Sequence, residues 1–307
     1  MKRRVGIIGT GSVGVSVAVS TLHSGAADEV LLNDLRTAIA EGEAMDLAHG
    51  ASFYPAASVR PATVEEMVDA DAIVISAGRN GKPDETRLQL LRDNANVFRN
   101  LASRLQGFRG VIVVVTNPAD VLTQLMTEAT GLPPNRVIST GTMLDTARLR
   151  HLVSRTLGVD ARSVHVQVVG EHGDAQTALW SSARVGGVPL RSWPNWDQAA
   201  EPRFAAEART AAYEIIRRKG ATNHAIGLVT AELLRCLLRG ERRVLTVSRV
   251  QQGAAGIDGV ALSLPTVVSA EGAVEVLEPE MSDDERASLQ RSAEVLRTAF
   301  QQVGLPK

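Results

Sequence analysis

The chain has 307 residues, which at roughly 100–200 residues per domain suggests about two domains. Hydrophobic residues make up 44% and charged residues 22%, which excludes a disordered chain and leaves ample apolar material for a core. Lys and Arg (33) balance Asp and Glu (34), so the net charge of −1 provides no basic excess for nucleic-acid binding. The longest clean aliphatic run, 111–115, is far short of the roughly 20 residues of a membrane span. A single cysteine, Cys236, excludes an intrachain disulfide and a Cys-based metal cluster, so no metal is expected and a reducing compartment fits best. Met1-Lys2-Arg3-Arg4 runs directly into an aliphatic stretch, without the apolar region and cleavage site of a secretory signal. The expectation is a cytoplasmic protein.

In chain order, 5–8 reads as a buried strand and 13–24 as a helix. Residues 29–33 read as a second strand, and 38–49 have helical composition. Further aliphatic runs at 72–76, 111–115 and 137–138 complete a strand-helix alternation. That pattern predicts a doubly wound α/β domain with a parallel sheet covered on both faces. After about residue 145 the texture changes to a mixed α/β arrangement. Residues 144–157, 204–219 and 225–238 read as helices, and 164–169, 243–248 and 260–265 as strands. Residues 189–203, with three prolines and two of the three tryptophans, read as an irregular surface loop. Ser282 and Glu285 form a capping box ahead of a closing helix with Leu289, Leu296 and Phe300 on one stripe. The expected division is 1–142 for the doubly wound domain and 143–307 for the mixed α/β domain.

Five features carry chemistry. Gly9-Thr10-Gly11-Ser12-Val13-Gly14 follows a strand and opens a helix, and Asp34 stands 20 residues after Gly14. This is the dinucleotide fingerprint: Gly9 for the turn, Gly11 for close approach of a pyrophosphate, Gly14 for helix-strand packing, and Asp34 for the ribose. Gly170-Glu171-His172-Gly173-Asp174 sets a histidine between glycines at a strand end, where packing explains it poorly and proton exchange explains it well. His23, His49, His151 and His224 read as structural. Asp145 and Arg148, three apart, share a helix face. They form either a local ion pair or a histidine-orienting carboxylate beside a carboxylate-gripping guanidinium. Asn117, in Thr116-Asn117-Pro118, closes the fourth strand of this reading at the end where open sheets bind ligands. Residues 80–87, with Gly81 and Pro83 among charges, read as a loop or lid leading into a helix at Arg87.

Together, and in this order along the chain, these features resemble the L-lactate/malate dehydrogenase family, closest to its bacterial lactate branch. The resemblance implies an NAD-dependent reduction of a 2-oxo acid to the L-2-hydroxy acid. It assigns proton transfer to His172, the paired carboxylate to Asp145, substrate-carboxylate binding to Arg148 and carbonyl polarisation to Arg87. Asn117 would orient substrate and nicotinamide, and Thr222 would form a pocket wall favouring the lactate branch. At the lid position that reads substrate identity, lactate enzymes carry Gln and malate enzymes Arg; Gly81 is neither, which argues against oxaloacetate and for relaxed selectivity. The resemblance also implies a homotetramer, with Arg150 and His165 at the positions that bind fructose 1,6-bisphosphate between subunits. Malate dehydrogenase, and a non-catalytic NAD-binding protein on the same fold, stand as the alternatives.

Overall fold

Short aliphatic runs without polar alternation are buried on both faces, which a parallel sheet sandwiched by helices provides. The computed structural model describes residues 2–79 and 87–303, with only the backbone of Arg87 described. Strands β1 (Arg4–Ile8), β2 (Glu29–Asn33), β3 (Ser58–Pro61), β4 (Ala72–Ile75), β5 (Val111–Val114) and β6 (Val137–Ser139) lie parallel. Helices α1 (Ser12–Ser24), α2 (Thr37–His49), α3 (Arg87–Arg104) and α4 (Ala119–Thr130) connect them. The second half runs α5 (Met143–Leu157), β7 (Val164–Val169), β8 (Thr177–Val185), β9 (Val188–Pro189), α6 (Glu201–Lys219) and α7 (His224–Arg239). It ends with β10 (Arg243–Leu245), β11 (Ser248–Gln252), β12 (Asp258–Ser263), β13 (Thr266–Ser269), β14 (Gly272–Val276) and α8 (Asp283–Gln301).

The main sheet has the order β12-β11-β6-β5-β4-β1-β2-β3, with β11 and β12 antiparallel. The connections reverse direction between β1 and β4, which opens a crevice at the carboxyl ends of these strands. Alternate residues of each strand face opposite helix layers. Ile73 and Ile75 pack with Leu91, Phe98, Leu122 and Leu289 on one side. Ala72 and Val74 pack with Val17, Leu22, Leu233 and Leu237 on the other. A third cluster joins Leu149, Val153, Val166, Trp180 and Phe204 across α5, α6 and the β7-β8-β9 sheet. No described helix is long and apolar enough to cross a membrane.

The expected strand-helix alternation is present, with element ends shifted by a residue or a few. The expected strand at 243–248 is two elements, because Val247 is fully buried where the chain leaves the β10-β13-β14 sheet and enters the main one. Strand β3 was not anticipated; it is a sheet edge with no buried residue and hence no hydrophobic signal. Strand β8 gives little strand signal in the sequence, because its serines and alanines blur the alternation. The expected surface loop at 189–203 is irregular but not all surface. Trp196 stacks on Phe204 at 5.5 Å, and its ring lies 6.1 Å from that of Trp180. The division near residue 142 follows the chain more closely than the packing, since α7, β11 and β12 from the second half complete the layers of the first.

The capping box at the start of α8 does two jobs. Ser282 Oγ accepts the Glu285 N–H at 3.3 Å, and Glu285 Oε2 accepts the Ser282 N–H at 2.9 Å. Glu285 Oε1 also accepts the N–H groups of Trp180 (2.7 Å) and Ser181 (3.0 Å), tying α8 to β8. Replacing Glu285 with Ala removes a cap and strands a buried donor, so the expected loss is about 2–4 kcal/mol. Chemical denaturation followed by far-UV circular dichroism measures it.

Candidate active site

The glycine loop follows β1 because each glycine meets a different steric demand. Gly9 has φ +95°, and a Cβ there would lie 2.5 Å from the Ala77 nitrogen. A Cβ on Gly14 would lie 1.9 Å from the Gly9 carbonyl oxygen, so only glycine lets α1 pack this close. At Gly11 the same position opens on empty space. Gly11 caps α1 without a side-chain bond, so the first N–H groups of the helix, with half-buried Val13 in that turn, are free to face an anion. A cavity of about 550 Å³ lies against Thr10, Gly11 and Ser12, with Asn223 and His224 on its far side.

Asp34 sits just beyond β2 and is already engaged with that loop. Its Oδ2 accepts the Thr10 N–H (2.9 Å) and hydroxyl (3.2 Å), and its Oδ1 accepts the Arg36 N–H (3.0 Å). Burial disfavours the charge, but the N–H donors of Arg36 and Thr10, the Thr10 hydroxyl and the Arg36 charge outweigh it, so the carboxyl stays below the usual Asp range. A fixed anion with spare acceptor capacity, edging a further cavity of about 230 Å³, suits a ribose diol and repels a phosphate. The residues therefore fit a dinucleotide.

The second half of the site lies where β5, β7 and α5 converge. Gly170, at φ +86°, turns the chain after β7, and His172 follows. His172 Nδ1 lies 2.6 Å from Asp145 Oδ2, and Arg148 Nη1 donates to Asp145 Oδ1 at 2.9 Å. Asp145 is thus both the partner of Arg148 in a local ion pair and the carboxylate that holds His172. Thr142 and Thr146 lock this turn of α5 to β7 through the Val168 carbonyl and N–H. Burial works against a charged His172, but the Asp145 charge and hydrogen bond, helped by Asp120, outweigh it and raise its pKa above the ordinary value. Burial likewise opposes a charged Asp145, yet His172 and Arg148 hold its pKa down.

These groups line a cleft of about 540 Å³ together with Asn117. The Asn117–Pro118 peptide is cis, and the Asn117 carbonyl accepts from Asn94 Nδ2 at 3.1 Å. Leu88 and Leu91 of α3 and Val295 and Leu296 of α8 supply apolar walls. Thr222 is half-buried in the α6–α7 link and is not among the residues lining this cleft; Ala212, Tyr213 and Ile216 of α6 form the wall instead. Gly81 and the Arg87 side chain lie outside the described residues, although α3 begins at Arg87 as expected. Arg150, half-buried, donates to the Val166 carbonyl at 3.1 Å, which puts it beside exposed His165 on β7.

Sequence reasoning missed three contributors. Asp120 accepts the His172 N–H at 2.7 Å. Tyr213 donates its hydroxyl to Asp174 Oδ1 at 3.2 Å, and Arg209 lines the cleft one turn earlier. A charged residue among the apolar residues of the first turn of a buried helix was the available signal for Asp120.

A strand-turn-helix dinucleotide site beside a carboxylate-bound histidine defines the class of a nicotinamide-dependent dehydrogenase. Residues 3–139 match the lactate/malate dehydrogenase NAD binding domain, and residues 142–304 match the alpha/beta C-terminal domain of the same family. The chain belongs to the lactate/malate dehydrogenase family, and its cofactor is NAD. It is 45% identical over 303 residues to an L-lactate dehydrogenase of Salinibacter ruber, covering 96% of each chain. It is 44% identical over 306 residues to an L-lactate dehydrogenase of Chloroherpeton thalassium, covering 97% of this chain and 98% of the relative. Among solved structures, the ligand-bound minor L-lactate dehydrogenase of Enterococcus mundtii superposes with a TM-score of 0.97 at 38% identity, over 99% of both chains.

If Asp34 meets the ribose, replacing it with Ser should cut the preference for NADH over NADPH by at least ten-fold. Fluorescence titration of both dinucleotides checks this, and an unchanged preference would remove Asp34 from the ribose.

Proposed function

We propose that this protein is an NAD-dependent L-2-hydroxy acid dehydrogenase of the lactate type, reducing pyruvate and related 2-oxo acids. The observation that carries the reading is the 2.6 Å contact between His172 Nδ1 and buried Asp145 at the wall of the cleft. With Nδ1 so engaged, Nε2 is the nitrogen left to exchange a proton. When bound, NADH supplies the hydride equivalent to the carbonyl carbon. His172 gives its Nε2 proton to the carbonyl oxygen, leaving neutral imidazole hydrogen-bonded to Asp145. Arg148 spends one Nη1 bond on Asp145 and keeps the rest of its fork for the substrate carboxylate. Asn117 orients the reacting carbonyl, and Arg87, at the start of α3, polarises it. A preorganised donor to the developing oxyanion is typically worth about 2.7–4 kcal/mol.

Reduction needs the imidazolium, so its rate falls as pH rises through the His172 pKa. Because that value is raised, activity persists above the ordinary histidine range. Gly81 offers no charge to a second carboxylate, which favours monocarboxylic substrates and admits bulkier side chains. Loss of NADH absorbance with pyruvate, phenylpyruvate and oxaloacetate is expected in that order of preference. His172→Asn should abolish turnover while NADH affinity stays within about two-fold. A variant with activity near wild type, or a wild type inert to every 2-oxo acid, would remove the mechanism.

We further propose a cytoplasmic homotetramer, two domains divided near residue 142, and an anionic effector of the fructose 1,6-bisphosphate type. For the effector, Arg184 stands opposite His165 in the β7–β8 register, and Arg150 reaches the main chain of the next residue, Val166, so three cationic or protonatable groups attach to this stretch of β7. Two copies related by a two-fold axis would double that charge. Pyruvate saturation curves with and without the bisphosphate should differ, the effector lowering the half-saturating concentration; superimposable curves count against the site.

A further inference from the structure

Of the ionisable groups lining the cleft that the proposed reaction does not use, Asp120 is the buried one. Asp120, in the first turn of α4, is 3% exposed. Its Oδ2 accepts the main-chain N–H of His172. Its Oδ1 is buried without a hydrogen bond, and so is the Ser248 hydroxyl on β11. That hydroxyl lies beside the Asp120 carboxyl and favours its charge, though outside hydrogen-bonding geometry. A buried, underpaired carboxylate is an expensive way to hold one N–H, since a neutral amide of the same shape would hold it equally well. What the amide would lack is charge. The cation within its reach is the imidazolium of His172.

We propose that Asp120 is a positioning residue for His172 in two respects: its Oδ2 fixes the His172 main chain, and its charge joins that of Asp145 in keeping the imidazolium protonated for reduction. This rests on His172 being the proton donor of the proposed reaction. The two carboxylates act from different sides. Asp145, on α5, holds Nδ1, whereas Asp120, on α4, holds the backbone. The other groups facing this point are Glu171 on the β7–β8 loop, Ser248 on β11, and Arg148 on α5 beyond Asp145, while Asp174 of the same loop and Arg209 of α6 line the cleft further out. Where α3 and α8 line the cleft, they present Leu88, Leu91, Val295 and Leu296 and no charged group among the described residues. Burial pushes the Asp120 carboxyl up to about 6, with the Glu171 charge adding to it; Ser248 and the N–H and charge of His172 hold it back. Each of the two charges therefore favours the other. Below about pH 6 Asp120 is neutral and gives no support; above it, Asp120 is ionised and raises the His172 pKa.

The test compares wild type with Asp120→Asn, which keeps an acceptor for the His172 N–H but removes the charge. Two readouts are taken from pH 5 to 9.5: kcat/KM for pyruvate reduction, and affinity of the NADH complex for oxamate, followed by NADH fluorescence. The alkaline midpoint of both should fall by about one pH unit, so the loss at pH 8 exceeds the loss at pH 6 by up to about ten-fold. A purely structural role would lower both curves evenly and leave the midpoints in place; unshifted midpoints in a folded variant overturn the proposal. Should Asp120→Asn not fold, Ser248→Ala withdraws part of the support for the Asp120 charge and should shift the midpoint in the same direction by less. No shift there overturns the proposal equally. A wild type that reduces no 2-oxo acid defeats the parent reading, whereas an active wild type with unshifted variants defeats this inference alone.

Discussion

The reacting end of the molecule depends on the bond between His172 Nδ1 and Asp145 Oδ2. A carboxylate as buried as Asp145 is tolerated only when its charge and lone pairs are met. His172 meets one oxygen and Arg148 the other. The consequence runs in both directions. The carboxylate selects the imidazole tautomer and ring plane, and the two cations let the carboxylate stay charged out of water. Removing either cation would leave a charge that the surrounding core cannot hydrate.

Much of the remaining architecture keeps those two groups in register although they are 27 residues apart. The Thr142 and Thr146 hydroxyls pin the first turn of α5 to β7. From the other side Ser292 on α8 accepts the Glu171 N–H at 2.6 Å, so the residue before His172 is held by the closing helix. Glu285 anchors that helix to β8, which pairs with β7. The chain thus surrounds the histidine with elements that are each tied to β7 or to the loop following it. The dinucleotide end obeys a different logic, in which exclusion of side chains, rather than their pairing, shapes the loop.

What was legible in the sequence was what local spacing encodes. The glycine loop, Asp34, His172 and the Asp145/Arg148 pair each depend on residues within a turn or a strand of one another, or on a spacing typical of the fold. Strands β1, β2, β4 and β5 were legible because burial on both faces leaves an unbroken aliphatic run. Asp120 was not, because its importance arises from a contact across 52 residues and from burial. Arg209 and Tyr213 were passed over on a polar-rich helix whose inner face only the assembled cleft reveals. Thr222, carried over by resemblance rather than by local spacing, stands in the α6–α7 link, while earlier residues of α6 line the cleft.

The return of β11 and β12 to the main sheet affects the order in which the protein can be made. Strand β6 leaves the ribosome with one edge unpaired, and its partner begins only at Ser248, after Ser139 by more than a hundred residues. At translation rates of about 5–20 residues per second, that interval lasts roughly 5–20 s. Over the same interval the sheet face destined for Leu233, Leu234 and Leu237 of α7 stands uncovered for most of the time. The nascent first half is therefore an adhesive object, with an open strand edge and a bare aliphatic face, and is a natural client for a chaperone until the later segments arrive.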